Sequence, residues 1–181
     1  MIRLFHISDL HFGLEDKLAL SWCKQCIAEE KPDAVMITGD LTMRARSHEF
    51  AAACEWIESL NVPVTVEVGN HDLSYFNPAE RFFWPYRRIR RIKKLVEREI
   101  HLDGVTVVPL KTVARAQWRL DWSKGWVTRF ALDKCLNAVD AAPKHHLVLI
   151  TAHHPLVEAG RGGQSLTRGG RTALAELAMR Q

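Results

Sequence analysis

Side chains that bind metal ions or move protons follow four separate apolar runs of this chain. They are Asp9 and His11, then Asp40, then Asn70 with His71 and Asp72, and finally His153 with His154. Carboxylate, imidazole and amide groups can coordinate divalent cations, and the first two also act as general acids and bases. Their repeated position after apolar runs predicts one shared site.

The apolar runs are short and rich in β-branched residues, a pattern that is typical of strands. The main runs are Ile2–Ile7, Ala34–Thr38, Val62–Val68 and His146–Thr151, with a weaker run at Val105–Leu110. Helical spacing predicts helices at Leu18–Glu30, Ser47–Leu60 with Ser47 as N-cap, Phe130–Val139 and Thr172–Arg180. This alternation predicts an α/β fold. In a mostly parallel sheet, the four polar clusters would meet at the carboxyl edge, where α/β proteins bind ligands.

Two neighbouring aspartates at that edge would need a cation between them. Carboxylates ~5 Å apart repel each other by about 3 kcal/mol at an effective dielectric constant near 20. We assign Asp9 and His11 to a first divalent ion, Asn70 and His153 to a second, and Asp40 as the bridge between both. Mixed oxygen and nitrogen ligands favour Mn, Fe, Zn or Co over Mg or Ca.

A pair of divalent ions would make hydroxide available near neutral pH and clamp the oxygens of a displacement at phosphorus. His71 lies next to a predicted ligand, so we assign it to protonating or stabilising the leaving oxygen. Asp72 follows directly, and we predict that it orients His71. The predicted catalytic residues are therefore His71 and Asp72.

Four motifs in this order resemble those of the calcineurin-like metallophosphoesterases: Asp9-x-His11, Gly39-Asp40, Gly69-Asn70-His71-Asp72 and His153-His154-Pro155. The stretches GDLTMRARSHEF and NPAERFFWPYRRIRRI are similar to the bacterial branch related to class III cyclic-nucleotide phosphodiesterases. The resemblance implies a β-sandwich flanked by helices in four α/β/β/α layers, a dimetal site and phosphoester hydrolysis. Within that site, Arg44 and His154 are candidates for contact with the substrate or the metal ligands.

The resemblance extends over nearly the whole chain, so we expect residues 1–181 to form a single calcineurin-like phosphoesterase domain. The family closes its site with a Gly-His-x-His motif after the His-His-Pro motif, and this sequence contains none. We therefore expect a chain truncated before that motif, with the C-terminal part of the domain missing.

Composition is consistent with a cytoplasmic enzyme that acts on an anionic substrate. The formal net charge is +4, no leader precedes the first apolar run, and no apolar run approaches the ~20 residues of a membrane span. Four cysteines without a secretory signal favour free thiols in a reducing compartment.

The most basic stretch, Arg87–Lys94, has two interpretations. Apolar residues at helical spacing favour a solvated helix face that packs through its apolar side. The alternative is a patch that attracts phosphate or nucleic acid, in which the preceding aromatic residues stack on a base. Those aromatic residues are Phe82, Phe83, Trp84 and Tyr86, and they are equally consistent with a core or a dimer contact.

Three functions remain open from the sequence. The first is a phosphodiesterase that acts on a small phosphodiester or a cyclic nucleotide. The second is a nuclease of the same fold, which a steep salt dependence of binding would favour. The third is a non-catalytic fragment whose metal site is incomplete. The sequence does not fix the oligomeric state.

Overall fold

The protein is described here by a computed structural model that covers residues 1–74, 78–84, 87–114, 123–158 and 166–180, without the side chains of Pro78 and Phe82. The chain divides into two compact units, Met1–Arg98 and Glu99–Gln181. Each unit contains one three-stranded sheet among the described residues. No helix in these ranges combines the length and the hydropathy of a transmembrane span.

The elements of the first unit alternate strand and helix: β1 (Leu4–Ile7), α1 (Lys17–Glu30), β2 (Ala34–Thr38), α2 (Ser47–Glu58), β3 (Val64–Glu67) and α3 (Pro78–Phe83). Those of the second unit are β4 (Ile100–Leu102), β5 (Val105–Pro109), α4 (Arg129–Ala141), β6 (Leu147–Thr151) and α5 (Gly170–Ala178). The five strands and the four helices at Leu18–Glu30, Ser47–Leu60, Phe130–Val139 and Thr172–Arg180 that apolar spacing predicted are confirmed to within two residues at each end.

In the first unit, β1, β2 and β3 form a parallel sheet in that order. Leu4 pairs with Ala34, and Val35 pairs with Val64. Every residue of β2 is buried, as expected for a central parallel strand that is covered on both faces. Because the strands are parallel, the segments after Ile7, Thr38 and Glu67 leave the sheet at one edge.

The two long helices of this unit begin with side chains that accept backbone hydrogen bonds. Asp16 caps α1 through bonds from the Leu18 and Ala19 amides. The prediction of Ser47 as the N-cap of α2 is wrong, because Ser47 is already helical and Arg46 is the cap. Glu49, the third helical residue, accepts the Arg46 amide at 3.1 Å, as the Glu of a capping box does.

In the second unit, β4 and β5 form an antiparallel hairpin, and β5 pairs in parallel with β6. The prediction that the four main runs share one sheet is therefore wrong. The run before His153 pairs with the weaker run Val105–Pro109, because strand pairing is non-local and apolar character alone does not select the partner. Val108 of β5 and the following Leu110 belong to one buried cluster with Leu132 and Leu136 of α4.

The segment Arg87–Leu95 consists of successive turns, so the helix predicted from its spacing does not form. Ile89 and Ile92 are nevertheless buried, each with 1% exposure, as the apolar spacing indicates. The following residues run beside β3, where the Val66 amide donates to the Leu95 carbonyl and the Glu97 amide donates to the Val66 carbonyl. Tyr86 and the side chain of Phe82 lie outside the described residues.

Candidate metal centre

The segments that follow β1 and β2 are hydrogen-bonded to each other. The His11 amide donates to the Asp40 carbonyl at 2.9 Å, and the Asp9 amide donates to the Gly39 carbonyl at 3.2 Å. Asp9, His11 and Asp40 all have positive φ, at 57°, 47° and 51°. A non-glycine residue in this region stores backbone strain, and such strain concentrates at functional sites.

These turns bring one ligand atom from each of Asp9, His11 and Asp40 within 4.8 Å of the others. His11 Nε2 lies 3.7 Å from Asp9 Oδ1 and 3.9 Å from Asp40 Oδ2. Asp40 is buried, whereas the Asp9 side chain is half exposed. The sequence prediction placed these three residues together, and the structure does the same.

Gly69 leaves space for the Asp40 carboxylate. A Cβ atom at this position would lie 2.0 Å from Asp40 Oδ1 and 2.1 Å from the Asp40 backbone nitrogen. The loop after β3 also reaches Asp40 through the His71 amide, which donates to Oδ1 at 2.9 Å. Asn70, which lies between Gly69 and His71 in the sequence, is 6% exposed.

His71 is held by a backbone carbonyl. Its Nδ1 lies 2.9 Å from the Met43 carbonyl oxygen, and because a carbonyl can only accept, Nδ1 must carry the proton. The His71 ring also contacts the His11 ring edge-on, with centroids 5.0 Å apart.

Asp72 does not make the contact that was predicted for it. Its carboxylate accepts the Leu41, Thr42 and Gly69 amides and the Thr42 hydroxyl, at 2.8 to 3.2 Å. These bonds join the loop after β2 to the loop after β3, whereas the described contact that orients the His71 ring comes from Met43. Asp72 is a structural link between the two loops.

Burial raises the pKa of the Asp72 carboxyl to about 6. The hydrogen bonds from the Gly69, Thr42 and Leu41 amides oppose this rise, and the nearby Asp40 charge adds to it. A buried carboxylate retains its charge only with such donors around it. The three backbone amides thus offset part of the free-energy cost of burying the charged carboxylate.

Arg44 lies on the loop between β2 and α2, three residues before Ser47. Its backbone amide donates to Glu49 at 2.9 Å, while its side chain is exposed and forms no hydrogen bond or ion pair with the described residues. Met43, whose carbonyl holds His71, directly precedes it. The guanidinium is therefore available to an anion on the surface of this loop.

His153 and His154 follow β6 in the second unit. Both ring nitrogens of His154 have partners there: Nδ1 lies 3.0 Å from the Thr112 hydroxyl, and Nε2 lies 2.8 Å from the Ser123 carbonyl. The two histidine rings contact each other with centroids 4.6 Å apart. The ring of His154 is thus held within its own unit, and the assignment of His153 rather than His154 as a ligand stays a prediction.

The residues of the first unit fit a divalent cation. Two carboxylates and an imidazole converge, and Nε2 is the His11 nitrogen that faces both carboxylates. Mixed oxygen and nitrogen donors of this type suit Mn, Fe, Zn or Co. The set proposed for a second ion includes Asn70 in the first unit and His153 in the second, and it stays a prediction.

Sequence reasoning missed the roles of two backbone carbonyls. Met43 contributes the carbonyl that holds His71, and Ala45 contributes one that binds the Arg88 guanidinium at 2.8 Å. Every residue carries a carbonyl, so residue type gives no signal for such contacts. Ala45 does have a positive φ of 53°, but this is visible only in the structure.

The chain is similar to a curated nuclease subunit in sequence and to a solved phosphatase structure in fold. The D subunit of the nuclease SbcCD from Staphylococcus epidermidis is 28% identical over 183 residues, which cover 91% of this chain and 49% of that protein. The chain thus spans about half the length of this curated relative. A solved structure of a dimetal phosphatase from Danio rerio is similar in fold, with a TM-score of 0.71 at 13% identity, over 98% of this chain and 77% of that one.

A protein-family model shows which family the chain belongs to. The model described as calcineurin-like phosphoesterase matches residues 2–178, which is nearly the full length given. The mixed α/β fold with two sheets is the metallophosphoesterase fold that the motifs implied. This chain belongs to the calcineurin-like phosphoesterase family.

Proposed function

We propose that this protein is a metal-dependent phosphodiester hydrolase. The observation that carries the proposal is the convergence of Asp9, His11 and Asp40 within 4.8 Å in a chain of the calcineurin-like phosphoesterase family. Two carboxylates so close to an imidazole form an anionic pocket that a divalent cation would stabilise.

Asp9, His11 and Asp40 would hold a first ion, and Asp40 with Asn70 would contribute to a second. Ions of this type act as Lewis acids at phosphorus and make a nucleophilic water available near neutral pH. Asp40 suits the shared position, because Oδ1 accepts the His71 amide while Oδ2 faces His11. The His71 amide fixes its orientation on the Oδ1 side.

His71 would give a proton to the leaving oxygen through Nε2. The Met43 carbonyl holds Nδ1–H, so the ring presents Nε2 in a fixed orientation. Arg44 would bind a non-reacting phosphate oxygen, since its exposed guanidinium is on the same loop as Met43. Asp72 would keep the two loops in register through the Thr42 and Gly69 amides.

The first candidate substrate is a small phosphodiester such as a cyclic nucleotide, in agreement with the motif resemblance. Nuclease activity is the second candidate, favoured by the curated relative, whose name is that of a nuclease, and by the basic stretch Arg87–Lys94. A non-catalytic role would follow if the second ion cannot bind. The cytoplasmic location expected from composition stays a prediction.

One substrate panel separates these candidates. The chain, loaded with Mn²⁺, would be assayed on bis(p-nitrophenyl) phosphate, on a 3′,5′-cyclic nucleotide and on a single-stranded oligonucleotide, beside Asp40→Asn. We expect hydrolysis of the aryl diester that Asp40→Asn abolishes. Cleavage of the cyclic nucleotide or of the oligonucleotide then identifies the substrate class. Equal rates for the chain and its variant would exclude the proposal.

A further inference from the structure

Two neighbouring aromatic side chains are exposed at the end of α3. Phe83 is 72% exposed and Trp84 is 61% exposed, although large apolar side chains usually pack inside. Their ring centroids lie 5.8 Å apart, and the planes are tilted by 51°. On the same helix, Glu80 and Arg81 are buried, so the helix is held from its polar side while its aromatic end faces outward.

The basic segment follows these rings. The Arg87 amide donates to the Trp84 carbonyl at 3.0 Å, which fixes the distance between the aromatic pair and the first cation of the segment. Buried Ile89 and Ile92 attach the segment to the unit. Five exposed cations between and around them form no hydrogen bond or ion pair with the described residues: Arg87, Arg90, Arg91, Lys93 and Lys94.

Arg88 is different from these cations because it is used internally. Its guanidinium binds both carboxylate oxygens of Glu80 and donates to the Ala45 carbonyl at 2.8 Å. Ala45 directly follows Arg44 on the loop that carries Asp40 and Met43. The basic segment is therefore attached to the same loop that supplies a ligand and holds His71.

We propose that Phe83, Trp84 and the five exposed cations of residues 87–94 form a binding surface for a single-stranded nucleic acid, which we call the strand surface. Base faces are available for stacking only where the strand is unpaired, and regularly spaced phosphates match a row of cations. A cyclic nucleotide has one phosphate and one base, so it would not use a surface of this extent. The proposal deepens the proposed function, on which its link to catalysis rests.

The contribution of the aromatic pair is tested by binding without catalysis. Fluorescence anisotropy with a labelled oligo(dT) of about 15 nucleotides would be measured in EDTA, so that no hydrolysis occurs. We expect Trp84→Ala to weaken binding by about 5- to 100-fold, the range of one lost stacking contact. Trp22→Ala is the matched control, because Trp22 is 68% exposed on α1 of the same unit and should leave binding unchanged.

The contribution of the cations is tested by the salt dependence. We expect the double variant Arg87→Ser/Arg90→Ser to flatten the slope of log K against log salt by about 1.4, since each neutralised phosphate of a single strand contributes about 0.7. Lys17→Ser/Lys24→Ser removes two exposed cations of α1 and should leave the slope unchanged. A slope equally reduced by both double variants would mean diffuse attraction and would overturn the strand surface.

Other outcomes separate this inference from the proposed function. Binding of oligo(dT) that is indifferent to Trp84→Ala, or no tighter than binding of a duplex of equal length, would overturn the strand surface. A change in oligomeric mass on Trp84→Ala, without a change in binding, would overturn it in favour of a protein contact. Hydrolysis of the aryl diester in Mn²⁺ is measured independently, so its loss alone would contradict only the proposed function.

Discussion

The amide of His71 donates to Asp40 Oδ1 at 2.9 Å, while Oδ2 of the same carboxylate lies 3.9 Å from His11 Nε2. The two oxygens of Asp40 thus face segments that follow different strands of the parallel sheet. A carboxylate oriented by a backbone amide loses little rotamer freedom when a cation binds. Asp40 therefore connects the position of the catalytic candidate His71 to the metal ligands.

Asp40→Asn tests whether this carboxylate binds metal. Its amide oxygen can still accept the His71 amide, so the loop should keep its conformation, but the negative charge is lost. We expect the affinity for Mn²⁺ to fall by at least about 100-fold, as measured by isothermal titration calorimetry.

The matched control is Asp103→Asn, which removes a charge from the β4–β5 turn. Asn-Gly suits such a turn as well as Asp-Gly does, so the fold should tolerate the change. We expect unaltered Mn²⁺ affinity. If both variants bound Mn²⁺ as tightly as the unchanged chain, Asp40 would not be a ligand.

Gly69→Ala tests the close approach of the β3 loop to Asp40. The new Cβ would meet the Asp40 backbone nitrogen at 2.1 Å, and a backbone atom cannot move aside as a flexible side chain can. We expect a loss of about 3 kcal/mol or more in the free energy of unfolding, together with weaker Mn²⁺ binding, measured by urea denaturation and calorimetry.

Gly104→Ala separates packing from backbone strain. Gly104 has a φ of +77°, yet no described atom outside its immediate chain neighbours lies within 4 Å of the position that an alanine methyl would take. Only the unfavourable φ should therefore cost stability, by about 1–2 kcal/mol. If Gly69→Ala lowered the free energy of unfolding no more than Gly104→Ala does, the β3 loop would be shown to relax away from Asp40.

The sequence was sufficient to predict how Asp9, His11 and Asp40 come together. Each follows an apolar run that forms a strand of the parallel sheet, and parallel strands end at one edge, so local patterns determine the outcome. The pairing of the run before His153 was not predictable in this way. Its partner is β5, and the choice of strand partner depends on packing between distant segments.

The contacts that orient side chains were also beyond sequence reasoning. Asp72 follows His71 directly, which suggested that it orients the ring, but backbone amides of Leu41 and Thr42 occupy its carboxylate. The described partner of the ring is the Met43 carbonyl, a group that every residue type carries. The residue types that could do chemistry were therefore predictable from the sequence, whereas the backbone groups that orient them were found only in the structure.

Glu80→Gln tests the ion pair that attaches the basic segment. The hydrogen bond from Arg88 holds the pKa of Glu80 below its ordinary value of 4.5. Because the folded state favours the carboxylate, the pair stabilises the protein above about pH 4.5, and this contribution is lost as the pH falls below that value. We expect Glu80→Gln to lower the free energy of unfolding by about 1.5–3 kcal/mol at pH 7.

The pH dependence distinguishes this ion pair from simple packing. Denaturation curves between about pH 3 and pH 7 should show the difference between the chain and Glu80→Gln shrinking below about pH 4.5. Glu58→Gln, an exposed position on α2, should show little difference at any pH. A Glu80→Gln deficit that stays constant with pH would exclude the charge as its cause.

His71→Ala tests the assignment of the proton donor. If Nε2 protonates the leaving oxygen, the loss of rate should depend on how much the leaving group needs a proton. We expect about a 100-fold or larger loss of kcat for a phenyl diester and a smaller loss for the p-nitrophenyl diester, whose leaving group is stable as an anion. The rate would be followed across a series of aryl phosphodiesters.

Metal content must be measured on the same samples, because the His71 ring contacts the His11 ring and its removal could disturb the ligands. A proton donor predicts unchanged Mn²⁺ content with a steeper dependence of rate on leaving-group pKa. His48→Ala, an exposed histidine of α2, should change neither quantity. An equal loss across all leaving groups would instead make His71 a positioning residue, acting through its ring contact with His11 rather than on the leaving oxygen.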